Sequence, residues 1–116
     1  MRVDRDQPVV PPTPPPDIDV EAWLRSVDLV EEWDPAALAL THFGAYDDVD
    51  THLAALRDAL HMQSEWARDL DEAAFLARRR DWVHNAPETY EQAAPGKQMW
   101  LGLERYWRKR AEAEAA

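Results

Sequence analysis

Only one segment of this 116-residue sequence has the pattern of a strand, and that limits the folds open to it. Leu38-Ala39-Leu40 is apolar without helical periodicity and runs through Thr41 and His42 into Phe43-Gly44. Glycine there permits the positive φ of a sharp exit. The pattern predicts a short buried strand over Leu38–His42. A lone strand cannot satisfy its own backbone donors and acceptors, and even a two-stranded hairpin is marginal in water. So either the segment is helical after all, or its sheet partners lie on another polypeptide or in sequence outside these residues.

The rest of the pattern is helical or proline-rich. Six of the nine prolines fall within Met1–Pro16, which predicts an extended, polyproline II-like arm lying over a surface. A ligand for an aromatic-lined groove is the alternative for such a run. From Val20 to Trp33 apolar residues recur at helical spacing behind the cap candidates Asp17 and Asp19. A second apolar stripe (Val49, Leu53, Leu56, Leu60, Ala67, Leu70) predicts a long helix capped by Asp47 or Asp48. Asp71 opens another, with Phe75, Leu76, Trp82 and Val83 inward and Arg78-Arg79-Arg80 outward. Asn85-Ala86-Pro87 breaks it, a short turn passes Tyr90, and Pro95-Gly96 opens the last helix.

Charge excludes several functions. With 13 Lys+Arg against 23 Asp+Glu, the net charge is -10, and Asp17–Asp34 alone carries seven acids against one base. Nucleic acid and anionic membranes need a clustered basic footprint, so neither is an expected partner. The absence of cysteine removes disulfides, thiolate metal sites and Cys nucleophiles. No apolar run approaches the roughly 18–20 residues of a membrane span. No secretory signal is visible in Met1–Asp6, and a soluble cytoplasmic chain is the expectation.

The inventory of reactive side chains is thin. Ser26 and Ser64 are the only serines, and Gly44, Gly96 and Gly102 are too isolated to form a phosphate-binding loop. His52, His61 and His84 sit on predicted helices among charged neighbours and read as surface residues. His42 differs because it ends the predicted strand, where open α/β sheets place ligand groups. With Asp47, Asp48 and Asp50 downstream it could join an oxygen-and-imidazole metal site, while a hydrogen-bonded core histidine is the plainer reading. The six tryptophans fall mostly on apolar helix faces and read as core or interface anchors.

These residues carry a resemblance. The stretch from Pro14 through Trp23, Trp33-Asp34-Pro35, Leu38-Ala39-Leu40-Thr41-His42-Phe43-Gly44 and Asp48–Leu53 resembles the C-terminal part of a metallo-β-lactamase-fold hydrolase, in its glyoxalase-like branch. The likeness is strongest from about Pro14 to Leu60. It implies a mostly α chain with one short strand, forming the C-terminal portion of an αββα sandwich, with the strand paired to sheets encoded upstream. It divides the chain into a Pro-rich arm (1–16), a metallo-β-lactamase-like part (17–60) and a helical extension (61–116). It makes His42 a metal ligand, and the intact enzyme would use one or two zinc ions to activate water against an ester, thioester or lactam-type small-molecule substrate. The signature His-x-His-x-Asp-His motif does not occur in these residues, so the isolated chain is expected to be inactive and poor at holding zinc. An upstream half or a second copy would be the partner. The alternative is a small acidic helical protein-interaction module, anchored by its tryptophans.

Overall fold

The computed structural model describes residues 1–116. Five helices, α1 (Val20–Trp33), α2 (Val49–Asp69), α3 (Glu72–Trp82), α4 (Pro87–Ala93) and α5 (Gly96–Ala115), accompany two short strands, β1 (Leu38–Ala39) and β2 (Ala45–Tyr46). The expected αββα portion is therefore wrong. The strands pair antiparallel with each other, Leu38 opposite Tyr46 and Ala39 opposite Ala45, and no sandwich is present. The reversal comes from Phe43 (φ 75°) and Gly44 (φ 106°), both in the left-handed region, and Leu40 N–H closes it on Gly44 O at 3.0 Å. The expectation of a single strand reaching His42 is corrected too: β1 ends at Ala39, Leu38 and Leu40 are only half-buried, and Ala39 is exposed.

Helix starts follow local chemistry. The Asp19 carboxylate accepts from Ala22 N–H at 3.0 Å and Asp71 from Ala74 N–H at 2.8 Å, each satisfying a donor that the first turn leaves unpaired. Helix α3 has only 11 residues, so its cap is a large share of its local stability. Asp71→Ala is expected to cost about 1 kcal/mol, read as a lowered urea midpoint with unchanged slope. Asp48 also flanks a helix, but its side chain makes no capping bond because it is held by Arg2.

The proline-rich arm is a core element and not a surface spacer. Val9, Val10, Pro11 and Thr13 are buried, and Val10 packs with Val83 and Tyr90. The first ten residues of the arm are not extended as expected: Gln7 N–H donates to Asp4 O at 3.0 Å in a turn, and Met1 and Val10 exchange backbone bonds of 2.8 and 2.7 Å, while other carbonyls of the arm accept from side chains. Tyr90 Oη donates to Pro8 O at 2.6 Å, and Tyr46 Oη to Arg2 O at 2.8 Å. Further along, Gln63 Nε2 donates to Thr13 Oγ1 at 3.1 Å, and Thr13 N–H meets the Met99 sulfur at 3.0 Å. Gly102 of α5 lets the arm approach: a Cβ there would stand 1.9 Å from Thr13 O.

Helix α5 packs against α2 and α3, and the apolar contacts fall into three clusters. One joins Val20, Ala67, Phe75, Leu103 and Tyr106; a second joins Val27 to Val49, Leu53 and Leu60 of α2; the third ties the arm to Val83 and Tyr90. Five tryptophans are half-buried against these clusters or the elements beside them, while Trp33 is 67% exposed.

Candidate functional site

The arm, α1, the β1 exit, α2 and the α4–α5 junction enclose a cavity of about 550 Å³. Trp23, Leu40, Leu56 and Met99 give it an apolar wall, and His42 and His52 border it. No Asp, Glu, Lys or Arg lines it, although 31% of the chain is charged. An apolar recess of about 190 Å³ shares Trp23, Leu40, His52 and Leu56 with this cavity. The groove of about 360 Å³ beside Asp17 and Arg105 has a different character, because its charges pair with one another.

His52 was expected on the surface and is instead 2% exposed in the first turns of α2. Its ring stacks on Tyr46 with centroids 6.1 Å apart and planes 26° from parallel. Behind that pair, Arg2 lies with its guanidinium carbon 4.7 Å from the Tyr46 ring centre and grips both Asp48 oxygens at 3.0 Å. The Arg2 hydrogen bond holds the Asp48 carboxyl below the usual carboxylate range. The Nδ1 of His52 is buried and has no hydrogen-bond partner. Burial, reinforced by the positive charges of the chain's amino terminus and Arg2 and opposed by Asp48, lowers its pKa from 6.5 to about 4.

This shift has a sign. The folded pKa lies below the unfolded one, so the unfolded chain binds the extra proton more readily as pH falls. His52 leaves stability untouched well above pH 6.5, erodes it between about 6.5 and 4, and adds no further loss below that window. The urea midpoint is expected to drop across that window, and the drop to be shallower in His52→Gln.

The candidate ligand His42 is exposed in the turn after β1, its ring centroid 6.0 Å from that of Phe43. The plainer expectation of a hydrogen-bonded core histidine is thus not met. Asp47 and Asp48 are committed to Arg5 and Arg2, and Asp50 is on the exposed face of α2. No three His, Cys, Asp or Glu side chains come together as a metal-holding group. His61 and His84 are exposed, as read from sequence. Arg79, expected outward, is buried at 3%, donates to Ala94 O at 2.7 Å and sits 3.4 Å from Glu91.

Sequence reasoning missed His52 although a signal was present. It lies three residues after Val49 and four before Leu56, at the edge of the apolar stripe. Arg79 likewise follows the buried Phe75 by four. No protein-family model, curated protein or solved structure matches the chain. No helix is long and apolar enough to cross a membrane.

Proposed function

We propose that this chain supplies one imidazole, His42, to the metal centre of a metal-dependent hydrolase whose other ligands lie outside these residues. The observation that supports the reading is the placement of His42, an exposed ring beyond a strand end on the border of the cavity. A zinc site needs roughly three or four protein ligands, and these residues bring no such group together, so they do not fit a complete zinc site. His42 would serve as a neutral ligand and the partner segment would provide the rest.

The test is to read the coding sequence upstream of the Met1 codon in all three frames. His-x-His-x-Asp-His in frame, or one shift away, is the expected result, and unrelated sequence overturns the reading. Added zinc is expected to leave the melting temperature of the chain unchanged and to elicit no esterase activity. Robust zinc-dependent turnover by these residues alone would contradict the division of ligands.

A second reading, an acidic helical interaction module, is favoured by Leu29 and Trp33, which lie one turn apart on α1 and are 47% and 67% exposed. Exposed aromatic anchors of this kind commonly mark interfaces. A photocrosslinking amino acid in place of Trp33 should give one discrete adduct in cells on this reading; no adduct removes it.

A further inference from the structure

We propose that the cavity between the arm, β1 and α2 binds an uncharged, largely apolar small molecule, with its single hydroxyl hydrogen-bonded to His52. Three observations converge on that ligand class. At about 550 Å³ the space matches small-molecule sites, which are lined mostly by apolar side chains around a few polar groups. Its wall contains no Asp, Glu, Lys or Arg, and burial lowers the pKa of the Met1 amino group at its border to about 6, so that group is mostly neutral at pH 7.5 and a buried carboxylate or ammonium would pay heavily for desolvation. His52, 2% exposed, borders the space and its ring makes no hydrogen bond within the chain; Nδ1 is sealed, which leaves Nε2 as the nitrogen that a ligand hydroxyl would reach.

The neutral state of His52 fits the same class. With its pKa lowered to about 4, the ring is neutral near pH 7, and a neutral imidazole has one nitrogen that can accept from a hydroxyl donor. Tyr46 stacks on the ring, while Trp23 and Leu56 supply apolar wall to the cavity. The inference is independent of the metal reading, because it uses His52 and needs no zinc.

The experiment titrates the full chain at pH 7.5, with chelator present, using 4-butylphenol, 4-butyltoluene, 4-butylbenzoate and 4-butylbenzylammonium. Binding is read by calorimetry and by the ¹⁵N shifts of the histidine rings. Saturable 1:1 binding of the phenol is expected, with the two charged analogues at least about tenfold weaker, or about 1.4 kcal/mol. The phenol should move the His52 ring signal and exceed the toluene in affinity. His52→Phe should abolish that preference while retaining toluene binding, and Ala93→Trp, which narrows the space, should weaken both. Equal affinity for neutral and charged probes, binding that leaves His52 unmoved, or no saturation by the phenol overturns the proposal.

Discussion

Gly102→Ala is expected to destabilise the protein by about 3 kcal/mol, the upper end for inserting a methyl group into a packed core. The added Cβ would lie 1.9 Å from Thr13 O and 2.8 Å from Pro14 C, both backbone atoms that cannot rotate aside. Helix propensity pulls the other way, since alanine is favoured over glycine by about 1 kcal/mol inside a helix. The clash exceeds that gain, so the sign is destabilising. Urea denaturation would give the magnitude, and increased proteolysis within residues 1–16 would show that the arm has been lifted off α5. A variant more stable than the parent would mean that the arm does not rest on Gly102.

Phe75→Ala is expected to cost about 3–5 kcal/mol, the range for removing a fully buried phenylalanine ring. Phe75 is 0% exposed, lies with its ring centroid 5.4 Å from that of Trp100, and joins residues of α1, α2 and α5 in one cluster. Against a typical total stability of about 5–15 kcal/mol, that loss leaves little margin. Retained far-ultraviolet helix signal, lost near-ultraviolet tryptophan signal and increased dye binding should accompany it. Phe75→Leu keeps most of the volume and should cost far less. If the two variants behave alike, the ring is not the element that joins α3 to α5.

The helical part of the fold was legible because periodicity and caps act locally. Asp19, Asp48 and Asp71 flank three of the four helix starts that the sequence predicts, and Val49, Leu53, Leu60 and Ala67 face inward together. What escaped depends on contacts between distant residues. Ala45–Tyr46 is too short to show alternation, so β1 seemed to lack a partner that lies only a turn away. The arm looked like a spacer because nothing near Thr13 reveals that Gly102 clears room for it. His52 and Arg79 looked exposed because polarity outweighed position, although each is three or four residues from a buried apolar neighbour. The exposure of His42 was not legible either: it read as the end of a buried strand, with a hydrogen-bonded core histidine as the plainer reading, whereas the ring is exposed and the segment before it is only half-buried or exposed.

The seating of the arm also dictates an order of assembly. Thr13 meets Met99 across 86 residues of chain, so the contact joins an early segment to the last helix. Closing so long a loop carries an entropic cost that is recovered only when both ends are present. During synthesis the arm emerges well before α5, and its seat beside Met99 and Gly102 does not exist until α5 follows. Val10 can already meet Val83 and Tyr90, but until α5 arrives Thr13 has no Met99 to rest on and the cavity lacks the wall that Gln98 and Met99 supply. The binding space of this protein is therefore among the last parts of it to exist, and a nascent chain halted before α5 has helices but no place for a ligand.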